Sequence, residues 1–394
     1  MPPPNLPDTL DPDAALAVPP SKGAAGTSAP LIGWDIGGAH VKASLLEAGT
    51  VTAIGQWATP LWKGLAHLDA ALHAARARWP AFAQARHAVT MTAEMTDLFA
   101  DREAGVRALC AHLADRLGTA TRFYAGDAGW VDASAAAAHW PAVASANWLA
   151  TASLVAHALP DAVLVDIGST TTDLIAIRAG RPAPCGRSDA ARLASGELVY
   201  RGVVRSPLCA LARRIRFRGQ ACNVMNEFFA TTADVFRLTG ELDPAHDHYP
   251  AADNGARDAA GSRLRLARMI GHDARDAGTD DWDDFARRWR ALMLAEIRRN
   301  LERVIRAAAL PAGMPLVGAG CGAFLVGELG EALGHPTVGF DALARVAPAY
   351  RDWARVCAPS VAVAQLAGDA DLATAPGASL RAATAPAAEP PCAS

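Results

Sequence analysis

Two stretches decide the fold: Ile32-Gly33-Trp34-Asp35-Ile36-Gly37-Gly38-Ala39-His40-Val41-Lys42 and Val163-Leu164-Val165-Asp166-Ile167-Gly168-Ser169-Thr170-Thr171-Thr172-Asp173. Each reads as a buried strand ending in Asp-Ile-Gly, a turn of small residues, and a returning strand. The run from Ala162 to Ile167 is almost continuously apolar, as in a strand covered on both faces. Glycine lacks a Cβ and tolerates positive φ, so backbone N–H groups in such turns can approach an anion closely. A carboxylate just before the turn can hold a hydrated Mg2+ against the same phosphates. One such hairpin is weak evidence, because tight turns reach this composition without any ligand. Two in one chain, with a third glycine turn at Gly318-Ala319-Gly320-Cys321-Gly322, favour a phosphate site.

Outward from these hairpins the chain alternates strands and helices. Strands are expected at 31–36, 40–46, 50–57, 88–91, 162–167, 172–177 and 314–317, from short apolar or alternating runs bounded by turn residues. Helices are expected at 64–79, 103–117, 146–159, 223–238, 255–270 and 282–309, with another starting at Ala323. No repeat of fixed period is visible. Residues 1–30 and 367–394 are rich in Pro, Ala and Ser and read as disordered tails. The folded part then divides into 31–160, carrying the first hairpin, and 161–366, carrying the second hairpin and the glycine turn. The last helix is free to return to the first unit.

Composition narrows the function. Of 394 residues, 51% are hydrophobic and 20% charged, which excludes wholesale disorder. A formal charge of −3 gives no electrostatic reason to expect nucleic acid or an anionic membrane as partner. No apolar run reaches the roughly 18 residues of a membrane span. The N-terminus lacks the basic start and apolar stretch of a secretory signal, so a cytoplasmic enzyme is the expectation. Seven dispersed cysteines without a CxxC pair argue against a disulfide framework or a structural zinc site. Most are expected to be small buried residues. Only three of the 37 basic residues are lysines, Lys22, Lys42 and Lys63. Where arginine is so favoured, a retained lysine points mildly to a site needing a compact ammonium.

The paired hairpins and the glycine turn resemble the acetate/sugar kinase–Hsp70–actin (ASKHA) superfamily. That resemblance implies an α/β, two-lobed fold with a ligand cleft between duplicated ribonuclease-H-like domains. The segments Thr59–Leu65, Thr90–Phe99, Ser145–Ala152 and Gly196–Val203 look like the hydantoinase/oxoprolinase family. Within it they are most similar to the branch tied to tetrahydromethanopterin-linked C1 transfer and methanofuran biosynthesis. The resemblance spans about 31–366. It implies a transferase that joins an aminomethyl-furanmethanol diphosphate to γ-glutamyltyramine, forming an ether and releasing diphosphate. The product would be a precursor of methanofuran or methylofuran. The partners implied are small molecules, a furfuryl diphosphate and a phenolic amine derivative. A homo-oligomer stays open.

Roles follow from that chemistry. Asp35 and Asp166 would hold Mg2+ or its waters. Backbone N–H groups around Gly37, Gly38, Gly168, Ser169 and Thr170, the Thr171 hydroxyl, His40 and Lys42 would hold phosphate. A phenol of pKa near 10 needs a base or a strongly cationic carbon. Glu94 is the candidate base, and Asp97 the alternative, with capping of the next helix as its structural explanation. Lys63 would reach diphosphate or a glutamate carboxylate, with an exposed surface position equally open. Asn147 and Arg205 are substrate-binding candidates beside Gly318, Gly320 and Gly322, although Asn147 is also placed to cap a helix. His246-Asp247-His248 lacks a third ligand at metal-binding spacing and reads as a polar loop. Trp282 and Trp289 read as core. His40 stands where the superfamily usually has Thr or Ser, which leaves ATP open as a cofactor. The alternatives are an ATP-dependent hydantoinase/oxoprolinase-type amidohydrolase or small-molecule kinase, and a non-catalytic nucleotide-binding regulator.

Overall fold

The computed structural model describes residues 29–374. The first sheet contains β1 (Leu31–Ile36), β2 (His40–Glu47), β3 (Thr50–Ala58), β4 (Arg86–Met91), β5 (Arg122–Tyr124) and β6 (Trp130–Val131). Its spatial order is β3-β2-β1-β4-β5-β6. The antiparallel β1–β2 hairpin is followed by β4 running parallel to β1. A parallel partner needs a crossover, and the helix Ala66–Arg78 lies on that connection.

The second half repeats this plan. In chain order come β7 (Ala162–Ile167), β8 (Thr172–Arg178), β9 (Arg181–Pro182), β10 (Leu198–Val199), β11 (Arg214–Phe217), β12 (Gln220–Asn223), β13 (Leu316–Ala319) and β14 (Thr337–Gly339). The sheet order is β10-β8-β7-β13-β14, with β9 on β8. Here too an antiparallel hairpin, β7–β8, is followed by a parallel strand, β13, beside β7. This is the two-lobed actin/Hsp70/sugar-kinase-like architecture expected from the paired motifs.

One apolar core lies between the sheets and joins Leu31, Val51 and Ile54 to Leu164, Ile175 and Val317. Two helices fill that space, Asn147–Ala158 and Ala358–Thr374. Every residue of β1 is buried. At Gly33 an added Cβ would lie 2.3 Å from the Ser360 carbonyl oxygen, so only glycine lets this strand and the last helix meet. Ser44 and Ser360 share a 2.7 Å hydrogen bond at the same seam.

Several expectations are corrected. The last helix continues to Thr374, past the expected tail boundary at 367, because its alanine- and valine-rich face is buried in the central core. The remainder of both tail assignments, 1–28 and 375–394, lies outside the described residues. No helix begins at Asn223. β11 and β12 form a hairpin there, and the helix starts only at Thr232, behind a capping box between Thr231 and Asp234. Arg218 and Gly219 turn that hairpin at φ 47° and 82°. Among the described residues only Cys110 and Cys357 of the free thiols are buried, and Cys185 is disulfide-bonded. Trp282 and Trp289 are core, packed with Phe285 under the β11–β12 hairpin. Among the described residues no helix is long and apolar enough to cross a membrane.

Candidate functional site

The two hairpins face a shared cavity of about 550 Å3, lined by Asp35, Lys42 and the Gly37–His40 turn from one side and by Asp166, Asp173 and the Gly168–Thr171 turn from the other. In the first hairpin Asp35 stands across from Lys42, with Nζ 3.7 Å from Asp35 Oδ2. In the second, Asp166 stands across from Asp173. The Gly37 N–H donates to the His40 carbonyl at 3.0 Å, and the Gly168 N–H to the Thr171 carbonyl at 2.8 Å. These two donors are spent inside the turns, contrary to the phosphate role expected of them. Among the described residues the N–H groups of Gly38, Ala39, Ser169 and Thr170 make no hydrogen bond, so they are the donors left for a ligand.

Both turns are braced. Val203 donates to the Gly168 carbonyl, and Val204 and Arg205 to that of Ser169. Gly202 lies so close that an added Cβ would sit 2.3 Å from Ser169 C and Thr170 N. On the first turn the Tyr249 hydroxyl donates to the Ala39 carbonyl. Tyr249 belongs to the loop carrying His246-Asp247-His248. There His248 packs 5.3 Å from the His40 ring, His246 against Trp353, and Asp247 pairs with Arg237. The loop therefore packs against the first turn, and His246, Asp247, His248 and Tyr249 do not line the cavity.

The charges are unbalanced. Burial raises Asp166 to about 7, helped by Asp173 and Asp35 and opposed by Lys42. Burial likewise raises Asp35, with Lys42 opposing and Asp173 reinforcing. It also raises Asp173, against Arg192, with Asp189 reinforcing. Burial alone would discharge Lys42, but Asp35, Cys357 and Asp166 outweigh it and the ammonium is favoured. His40 falls well below the usual histidine range, first through burial and then through His248, Lys42 and Arg205, so its imidazole is neutral. Asp35 Oδ1 is buried without a hydrogen-bond partner. Among the described residues no group of three or more His, Cys, Asp or Glu side chains could hold a metal ion. The two aspartates therefore fit a divalent cation only if substrate oxygens and water complete its shell, which is the habit of Mg2+.

The remaining expected residues divide. Asn147 lines the cavity; it opens its helix as the first helical residue, and its Oδ1 accepts from the Trp148 N–H at 2.8 Å. Arg205 lines it too, 3.4 Å from the Thr170 hydroxyl and stacked against the Trp62 and Tyr249 rings. Asp97 is exposed on the cavity wall, while Asp101 caps the following helix. Glu94 does not reach the cavity. It is buried, and the Ser145 hydroxyl donates to its Oε1 at 2.8 Å. Lys63 is exposed in the short turn Leu61–Lys63, off the cavity. The glycine turn packs behind the second hairpin: the Gly322 N–H donates to the Ile167 carbonyl at 2.8 Å, and a Cβ on Gly320 would lie 2.1 Å from that oxygen. Gly318, Gly320 and Gly322 thus support Asp166 from below instead of lining the cavity.

Sequence reasoning missed Asp173, Asp189, Arg192 and Ser145, all on the cavity wall. Arg192 is 1% exposed, pairs with Asp173 and lies 4.1 Å over the Trp148 ring. In so arginine-rich a chain it carried no signal. Asp173 was legible only as the counterpart of Lys42 in the second motif.

Comparison with known proteins identifies the family. A profile described as Hydantoinase/oxoprolinase matches residues 86–367. The (4-{4-[2-(gamma-L-glutamylamino)ethyl]phenoxymethyl}furan-2-yl)methanamine synthase of Methanocaldococcus jannaschii is 29% identical over 277 residues, covering 70% of this chain and 82% of that protein. A synthase of the same name from Methanococcus vannielii is 30% identical over 142 residues, covering 36% of this chain and 64% of that protein. Among solved structures, nucleotide-free acetone carboxylase superposes with a TM-score of 0.51 at 12% identity, over 77% of this chain and 67% of that one. That likeness is one of fold. With the profile spanning β4 to the last helix, the chain belongs to the hydantoinase/oxoprolinase family.

Proposed function

We propose that this chain is a cytoplasmic transferase of methanofuran-type cofactor biosynthesis. It joins the furfuryl carbon of an aminomethyl-furanmethanol diphosphate to the phenolic oxygen of γ-glutamyltyramine and releases diphosphate. The observation that carries this reading is the pair of turns whose four unspent N–H groups border one cavity around Lys42, in a chain whose relatives are named for the product of that condensation.

The carbon–oxygen bond to diphosphate breaks with its electron pair on the leaving oxygen. Preorganised donors lower the barrier most when they meet charge that develops only in the transition state. The N–H groups of Gly38, Ala39, Ser169 and Thr170, the Thr171 hydroxyl and the Lys42 ammonium serve that purpose. Asp35 and Asp166 would hold Mg2+, which supplies further charge neutralisation when bound. Neutral His40 offers a hydrogen bond without adding a third positive charge beside Lys42 and Arg205. Arg205, steadied between Trp62 and Tyr249, suits a carboxylate of the glutamyl group, because its planar fork matches two oxygens.

Mass spectrometry of the purified protein with the furfuryl diphosphate, γ-glutamyltyramine and Mg2+ tests this reading. Ether and diphosphate are expected in equal amounts without ATP. ADP formation from ATP with 5-oxoproline or hydantoin, and no ether, would replace the transferase with the amidohydrolase.

A further inference from the structure

Beyond the phosphate-facing turns, the cavity wall changes character. Ser145 lies there in the left-handed region at φ 51°, a strained conformation for a non-glycine residue. Its hydroxyl oxygen, with one proton to donate, lies between two carboxylates, 2.8 Å from Glu94 Oε1 and 3.3 Å from Asp189 Oδ2. Glu94 is 1% exposed and its Oε2 has no partner. Burial holds this carboxyl above its usual range, which favours its protonated form and leaves the Ser145 hydroxyl free to turn toward Asp189. Asp189 is itself gripped by Arg102 and stands 3.8 Å from Arg192 Nη1.

The same cavity also carries large hydrophobic side chains. Met95, Leu193 and Tyr200 all line the cavity, and all three are among the exposed large hydrophobic side chains. Met95 Sδ is 3.5 Å from the Ser145 hydroxyl, and Leu193 follows Arg192 in the chain. Hydrophobic side chains left in water in a cavity that also holds a buried polar pair suit a ligand with an apolar body and one polar tip. A phenol has that shape.

We infer that Met95, Leu193 and Tyr200 receive the aromatic ring of the acceptor, and that Asp189 is the general base for its hydroxyl, with Ser145 and Glu94 as positioning residues behind it. This rests on the transferase reading and assigns the half of the cavity which that reading leaves empty. As the phenolic oxygen bonds to the furfuryl carbon it becomes acidic, its proton passes to Asp189, and the electron pair of the old carbon–oxygen bond departs with diphosphate. A carboxylate suffices because no free phenolate need form first. The charged or titratable groups facing Asp189 are Arg102, Arg192, Glu94 and Asp173.

The test follows ether and diphosphate separately in wild type and Asp189→Asn. The variant is expected to form ether about 10²-fold more slowly, while water attack on the furfuryl diphosphate still releases diphosphate at a rate near wild type. A ring-fluorinated acceptor, with a more acidic hydroxyl, is expected to recover about tenfold of that loss, which a merely structural role would not allow. Wild-type ether formation by Asp189→Asn, or no recovery with the fluorinated acceptor, overturns the inference. Leu193→Ala keeps the question open to refutation should Asp189→Asn misfold, since Leu193 is 50% exposed. It is expected to raise the acceptor KM about tenfold and leave the furfuryl diphosphate KM unchanged; an unchanged acceptor KM overturns the inference. If the wild type makes no ether at all, the transferase reading itself fails.

Discussion

Lys42 and Asp173 hold the same register position in two hairpins: Lys42 stands across from Asp35, and Asp173 across from Asp166. The duplicated plan therefore places an ammonium on one jaw where the other carries a carboxylate. Lys42 acts on the charge of Asp35, Asp166 and Asp173, and Arg192 pairs with Asp173 alone among them. Such a centre is completed by an added cation and a polyanion together, rather than by either alone.

Removing the ammonium should be severe. Lys42→Met is expected to cut turnover by about 10²-fold or more, measured as diphosphate release under saturating Mg2+. Lys42→Arg is expected not to restore it, because a planar guanidinium does not fit a gap sized for a point charge 3.7 Å from Asp35. Near-wild-type turnover in either variant would take Lys42 out of the phosphate site.

Asp166 sets a pH dependence with a definite sign. Its folded value of about 7 exceeds its ordinary 3.8, so between these pH values the folded chain keeps a proton that the unfolded chain has lost. Stability from this group is highest below pH 3.8, falls as pH rises to about 7, and is flat above. Asp166→Asn should melt higher than wild type at pH 8 without Mg2+, yet lose about 10²-fold in turnover. Thermal melts at pH 5 and pH 8 check the first part; an unchanged difference between the two pH values would contradict it.

Gly202 offers a test of the second turn without touching any charged group. A methyl there would overlap Ser169 C and Thr170 N, each 2.3 Å away. Gly202→Ala is expected to cost about 1–3 kcal/mol in denaturant unfolding and to weaken diphosphate binding. Wild-type affinity in a folded variant would mean that this turn does not contact the anion.

The hairpins and their shared cavity were legible because Asp-Ile-Gly at a strand end is a local pattern, and its repetition fixes a duplicated sheet plan. The end formed by Ser145, Asp189 and Arg192 was not. It is assembled by three segments distant in the chain, and in an arginine-rich sequence Arg192 looks like any surface arginine until its burial is seen. The place of Glu94 after a strand suggests a base, yet the short turn Ala93–Met95 points it inward to Ser145. The helix expected from Asn223 failed for a local reason. Arg218-Gly219 makes a turn at positive φ, but an arginine before glycine is not the Asn-Gly or Asp-Gly signature by which such hairpins are recognised.

The central claim is that both hairpins grip one diphosphate. Calorimetric titration of inorganic diphosphate with Mg2+ into wild type, Lys42→Met and Gly202→Ala tests it most directly. One site per chain is expected in the wild type, with affinity reduced about tenfold or more in each variant. Undiminished binding in either variant would show that a single hairpin suffices, and would contradict the claim.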